Sequence, residues 1–202
     1  MTFLKSLENR RSIYALGKNI ENPDQAIETI KQAVRLSPSA FNSQTTRVLF
    51  VTGAAQEKLW GEIVADAVHA SMKAQGVPES AFEGTKAKLD GFKAAYGTAL
   101  FFEDQEVVKN LQEQFVLYAD NFPVWSEQAS GITSVNAWTA LAELGIGANL
   151  QHYNPLIDEE VAKAFHVPAS WKLRGELVFG SIEAKAGEKE FMDDDARFMS
   201  AN

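Results

Sequence analysis

Residues 47–52 read RVLFVT, Gly53 follows, and residues 54–74 read AAQEKLWGEIVADAVHASMKA. The first run is apolar, rich in β-branched side chains and closed by a glycine, which predicts a buried strand. In the second run Leu59, Ile63, Ala67 and Ala70 recur at helical spacing, which predicts one long helix. Toward the N-terminus, Ser37-Pro38 breaks a helix that starts near Asn22 or Asp24 and carries Ile27, Ile30 and Val34. Before it, Phe3, Leu4 and Leu7 share one face of a short helix that runs into Arg10-Arg11-Ser12. Toward the C-terminus, a polar stretch over 75–97 holds a short helix, and residues 98–102 (TALFF) form a second core strand ended by Glu103 and Asp104. Two more helices follow, over 105–121 (Val108, Leu111, Phe115, Tyr118) and over 124–144, the latter stopping at Gly145. A short helix over 158–165 and a strand over 173–182, with Leu173, Leu177 and Phe179 as core residues, precede an acidic tail. Strands separated by long helical segments predict an α+β fold, a small mixed sheet surrounded by helices.

Composition narrows the function. Of 202 residues 46% are apolar, enough for a proper core, so disorder is excluded. A net charge of -8 argues against a general nucleic-acid or anionic-membrane binder, both of which need a positive field. The absence of cysteine removes disulfides, thiol catalysis and thiolate metal sites together. The first thirteen residues alternate charged and apolar side chains unlike a secretory signal, and no run of about 18 apolar residues could span a bilayer. The expectation is a cytoplasmic protein that binds neither nucleic acid nor membrane. No repeat, linker or compositional shift occurs, so a single domain over 1–202 is expected.

Three segments can carry chemistry. In Arg10-Arg11-Ser12, two guanidinium forks beside a hydroxyl suit a phosphate monoester, although a solvated basic pair on a surface turn has the same sequence. Residues 37–44 (SPSAFNSQ) offer amides and hydroxyls that could read the hydrogen-bonding edge of a heterocycle, or could serve turns and caps. Residues 144–155 (LGIGANLQHYNP) leave a helix through two glycines, which allow either close backbone approach to a planar ligand or helix capping. This is not a dinucleotide fingerprint, because Leu150 stands at the third glycine position and the motif follows a helix. His69, His152 and His166 lack the paired spacing of metal ligands, so no metal is expected. Hydrolase elbows and P-loops are missing, and the Asp193 to Asp195 run lacks the spacing of a calcium loop and reads as a solvated turn. Trp60, Trp125, Trp138 and Trp171 read as core or interface anchors.

Taken in order, Arg10-Arg11-Ser12-Ile13-Tyr14, SPSAFNSQTTR over 37–47 and the LQHYNP ending resemble the nitroreductase family, most closely its fatty-acid-repression oxidoreductase-like branch. Matching residues around Phe179-Gly180, Lys189 and Phe198 extend the resemblance nearly end to end. It implies a mainly antiparallel sheet inside an intertwined homodimer with FMN at the interface. It assigns the FMN phosphate and ribityl chain to Arg10, Arg11 and Ser12, and a closing basic residue to Lys189, with Lys185 as substitute. Ser39, Asn42 and Gln44 are implied to reach the flavin from the partner subunit, and Leu150, Gln151 and His152 to run beside its ring. The sequence departs from the broader pattern at Tyr14, Thr45-Thr46 and Glu190. The implied activity is hydride transfer from NADH or NADPH to a small electron-poor acceptor such as a quinone or nitroaromatic compound, by a ping-pong cycle. Competing readings are a flavin-binding regulatory or stress-response protein with incidental turnover, and a helical binding module without cofactor.

Overall fold

The computed structural model describes residues 2–201. At its centre β3 (Gly97–Asp104) and β5 (Trp171–Ile182) pair antiparallel, with Leu100 opposite Glu176 and Ala99 opposite Leu177. The strand β2 (Thr46–Thr52) pairs with the outer side of β3, and β4 (Gly147–Gln151) pairs with β5 on the side away from β3. The two-residue β1 (Leu16–Gly17) pairs with the end of β5. Every ladder is antiparallel; the parallel element is one isolated bridge between Ser12 and Ala148.

Strand side chains alternate between faces, so β3 feeds two cores. Ala99 and Phe101 join Leu177 and Phe179 against α2 (Pro23–Leu36) and α7 (Phe122–Glu143), which contribute Ile30 and Leu141. Leu100 and Phe102 face the opposite way and meet Leu59, Trp60 and Phe92. These come from the α3 (Ala54–Lys58) to α4 (Ala65–Ala74) segment and from α5 (Glu79–Lys93), while α8 (Asp158–Phe165) adds Val161. The buried polar atoms on this side pair with one another: the Trp60 indole donates to Thr98 Oγ1 (2.9 Å), which donates to Gln56 Oε1 (2.8 Å). Gln56 Nε2 donates in turn to the Phe92 carbonyl (2.8 Å), leaving no member of the chain desolvated without a partner. At Gly180 a Cβ would lie 2.3 Å from the Gly17 carbonyl oxygen, so only glycine lets β1 close on β5.

The structure alters several expectations. RVLFVT is a strand but a half-buried one, with Val51 alone fully covered, because β2 sits at the edge of the sheet. The expected single helix over 54–74 is interrupted by a π-helical turn, Leu59–Val64, which inserts a residue and rotates the apolar stripe; Trp60 and Val64 turn inward and Ala70 outward. The helix within 75–97 is not short: α5 has 15 residues. Glu103 and Asp104 lie inside β3 rather than ending it. The helix over 105–121 splits into α6 (Gln105–Gln114) and a 3-10 segment (Val116–Asn121). The stretch after Gly145, read as a glycine-rich turn, contains β4. Phe3 and Leu4, expected to pack α1 (Phe3–Asn9), are exposed; Ser6 is the buried residue of that helix. No helix among the described residues is long and apolar enough to cross a membrane.

Candidate functional site

The end of α1 delivers the basic pair. Ser6 bonds through its hydroxyl to the Glu143 carboxylate at the end of α7, which fixes α1 against that helix. The chain then extends from Arg10, and Ser12 bridges Ala148 while the Ile13 amide donates to the Ala148 carbonyl (3.0 Å). Asn149 Nδ2 donates to the Ile13 carbonyl (2.7 Å) and holds the segment from β4. The Arg10 guanidinium lies over the Trp138 ring, 4.4 Å from its centre. Arg11 Nη2 donates to the Gly187 carbonyl (2.8 Å), bringing the C-terminal segment over the pair. Arg10, Arg11, Ser12 and Tyr14 then face Lys185 and Lys189 across a cleft of about 580 Å³. Four cations thus share one cleft in a chain whose net charge is -8. Burial, and then the neighbouring Arg11 charge, push the Arg10 pKa down. A cleft that gathers four cations, one of them partly buried, is stabilised by a bound anion, and a phosphate with several acceptor oxygens suits two guanidinium forks.

Strand β4 leads from that cleft to a second cavity. Ala148 lies beside Ser12, and His152 is four residues on, about 13 Å at the rise of an extended strand. The second cavity, about 290 Å³, is lined from the sheet side by Phe101, Leu150, His152, Asn154, Arg174 and Gly175. From α7 come Glu127, Ser130, Gly131 and Ser134. The register between β3 and β5 shifts between Phe101 and Phe102, leaving Arg174 as the extra residue of a bulge between Leu173 and Gly175. Bulges re-aim side chains, and here Arg174 turns onto the cavity face. Its Nε donates to Glu103 Oε2 (2.5 Å) and its Nη2 to Glu127 Oε1. At Gly175 a Cβ would stand 3.2 Å from Leu150 Cδ1 and 3.5 Å from His152 Nε2, crowding the cavity floor.

Behind His152 lies a buried acid. Glu176 accepts the Tyr153 amide (2.9 Å), and burial pushes its pKa up to about 8 against the opposing pull of that amide, with the negative charge of Asp158 adding to the rise. Burial also raises the Asp158 pKa, partly offset by Lys172 and Arg174. Glu176 Oε1, Asp158 Oδ1 and Asn154 Oδ1 are buried without a partner. At neutral pH a protonated Glu176 removes the cost of a bare buried carboxylate.

The expected site residues therefore fall into three groups. Arg10, Arg11, Ser12, Lys189 and Lys185 come together around the first cleft. Leu150 and His152 line the second cavity, whereas Gln151 is buried on the other face of β4 and donates to Asn149 Oδ1 (2.8 Å). Ser39, Asn42 and Gln44 line neither cavity of their own chain. They form a knot in which the Gln44 amide donates to Ser39 Oγ (3.0 Å) and Arg47 Nη1 donates to the Gln44 carbonyl (2.7 Å). Phe41, Asn42 and Gln44 all have positive φ (56°, 51° and 47°), a strained arrangement for non-glycine residues. Phe41 anchors it by packing against Phe115, Tyr118, Phe122 and Trp125. The Asn42 and Gln44 side chains remain exposed. Sequence reasoning missed Arg174, Glu103, Glu127, Glu176 and Trp138. A usable sign was present for Glu103 and Glu176, charged residues set in otherwise apolar strand runs.

A five-stranded antiparallel sheet between helical layers, with a cationic cleft joined by one strand to a second cavity, defines a small α+β ligand-binding protein. Residues 7–181 match the Nitroreductase family, and the chain belongs to that family, which makes it an oxidoreductase. It is 70% identical to the nitroreductase CinD of Lactococcus lactis, solved in complex with chloramphenicol, with full coverage of both chains and a TM-score of 0.92; CinD has also been solved with nicotinic acid and with 4-nitrophenol. The nitroreductase FRM2 of Saccharomyces cerevisiae is 32% identical over 197 residues, 95% of this chain and 93% of FRM2, in keeping with the fatty-acid-repression branch. A Desulfovibrio desulfuricans protein in complex with FMN shares the fold at 18% identity, with a TM-score of 0.70 over 98% of this chain and 96% of the other.

Proposed function

We propose that this chain is a single-domain, FMN-dependent oxidoreductase that works as a cytoplasmic homodimer and passes hydride from NADH or NADPH to small electron-poor acceptors such as quinones and nitroaromatic compounds by a ping-pong cycle. The observation that carries this reading is the pairing of a four-cation cleft with a partly apolar cavity at opposite ends of β4. FMN has a phosphate at one end and a planar ring at the other, and the donor set fits both. Arg10, Arg11, Ser12 and Lys189 would hold the phosphate and ribityl chain, with Lys185 at the rim. Leu150 and His152 would lie beside the ring, and Gln151 would keep β4 in place through Asn149. Ser39, Asn42 and Gln44 would complete the site across the dimer, which agrees with the exposure of Asn42 and Gln44 and with the absence of all three from the linings of both cavities in their own chain. The complexes of CinD with two nitro compounds and the FMN complex of the Desulfovibrio desulfuricans protein support the same reading.

Bound FMN supplies the hydride relay; the chain supplies binding, orientation and electrostatics. The cationic cleft neutralises the phosphate, and the slot between α7 and the sheet orients a planar ring and excludes water from its buried side. No nucleophile is required, which agrees with a chain that lacks cysteine. The test is an absorption spectrum of the purified protein, followed by an acceptor screen under NADH and under NADPH. A yellow protein that reduces quinones or nitroaromatics is expected; a colourless protein that takes up no added FMN would end the proposal.

A further inference from the structure

The arginine in the second cavity bridges its two walls, bonding Glu103 on β3 and Glu127 on α7. Its side chain is 17% exposed, and it is backed by Glu103, whose side chain is 1% exposed and which keeps one oxygen unpartnered. Its cavity-side partner is of a different kind: Glu127 reaches in from α7 with 56% of its side chain exposed. Guanidinium Nη1 bonds to no acceptor among the described residues and Nη2 uses one of its two protons, so three N–H donors remain unclaimed. Phe101 and Gly175 face Ser130, Gly131 and Ser134, side chains too small to break up a slot. A cavity of about 290 Å³ lies at the lower end of the range for small organic ligands.

We infer that Arg174 is the acceptor-specificity residue of this enzyme, a receptor for an oxyanion or nitro group carried on a small planar ring, with Glu127 as its displaceable stand-in and Glu103 as its fixed anchor. This rests on the reading of the cavity as the ring end of an FMN site. A ligand oxygen entering the slot takes the Nη donors, and the Glu127 carboxylate swings out to solvent, which its exposure makes inexpensive. The Nε bond to Glu103 stays, so the fork keeps its orientation throughout. Partial desolvation makes such a charge-assisted contact stronger than it would be on an open surface.

The pair nicotinate and nicotinamide isolates the effect, since the two share a ring and differ in one carrying a carboxylate where the other has a neutral amide. Each is titrated into the oxidised, FMN-loaded protein while the flavin absorption band is followed. The wild type is expected to prefer nicotinate. Glu127→Gln removes the competing carboxylate and should tighten nicotinate severalfold without changing nicotinamide, whereas Arg174→Gln should abolish the preference, a loss of about tenfold or more for one charged hydrogen bond. Because Arg174→Gln strands Glu103, the double variant Arg174→Gln/Glu103→Gln provides the same readout in a neutral pair. A preference unchanged in all three variants overturns the inference. So does a preference that survives while the midpoint potential of bound FMN drops in Arg174→Gln, since the arginine would then face the flavin. Failure to take up FMN at all would instead reject the functional reading beneath it.

Discussion

The guanidinium of Arg10 lies over the indole of Trp138, 4.4 Å from the ring centre, and so couples the segment after α1 to the C-terminal half of α7. The indole holds the cation in place before any ligand arrives, which lowers the ordering cost of binding. Trp138→Leu should keep the fold and weaken FMN binding by about 2- to 30-fold, the range of a cation–π contact worth roughly 0.5–2 kcal/mol. Fluorescence titration of apoprotein with FMN checks this, and an unchanged Kd would show that the stack is incidental.

Arg11 has no such platform; it is tied to the C-terminal segment through the Gly187 carbonyl. Arg11→Ala therefore removes one phosphate donor and the strap that brings Lys185 and Lys189 over the cleft. A charged hydrogen bond contributes roughly 1.5–3 kcal/mol, so FMN affinity should fall about 10- to 150-fold. Retention of FMN through gel filtration at wild-type levels would contradict the phosphate assignment.

Asn42 and Gln44 present exposed side chains on a strained knot that lines neither cavity of their own chain. If they serve the partner's flavin, FMN release on dilution should follow dimer dissociation measured by analytical ultracentrifugation. Tight FMN binding by a proven monomer would refute the intersubunit role.

Glu176 should dominate the pH dependence of stability. Burial raises its carboxyl to about 8 in the fold, against an ordinary value of 4.5 in the unfolded chain. Between those values the folded chain keeps a proton that the unfolded chain has released, so stability falls as pH rises across the window. Glu176→Gln keeps the shape and can still accept the Tyr153 amide while removing the titration. Urea unfolding at pH 5, 7 and 9 should show a flatter profile for the variant, with its gain over the wild type largest at pH 9. An equally steep decline in the variant would place the titrating group elsewhere.

Much of this was readable from local pattern. The strand cores TALFF and LRGELVF, the helix from Pro23 to Leu36 and the stop at Gly145 follow from spacing and breakers, and each formed close to where the pattern placed it. The basic pair after the first helix was visible as a candidate anion site because two guanidinium forks beside a hydroxyl suit a phosphate, although a solvated surface pair would read the same. The interruption of the 54–74 helix was not visible, because a π turn leaves the composition untouched and changes only the phase. Nor was β4, since GANLQ alternates over only four residues, lacks β-branched side chains and follows a glycine-rich helix end, so it becomes a strand because β5 offers it an edge.

Sequence alone determined the α+β class, the two-faced core strand and the residue types able to grip a phosphate, since periodicity and side-chain chemistry are properties of neighbours along the chain. Tertiary structure decided which of those residues meet. It swung the C-terminal lysines onto Arg10 and Arg11, turned Arg174 onto the cavity face through one extra residue in β5, and buried Glu176 where it must hold its proton. These outcomes depend on contacts between residues tens to more than a hundred positions apart, and on the loss of water around them, which no local stretch encodes.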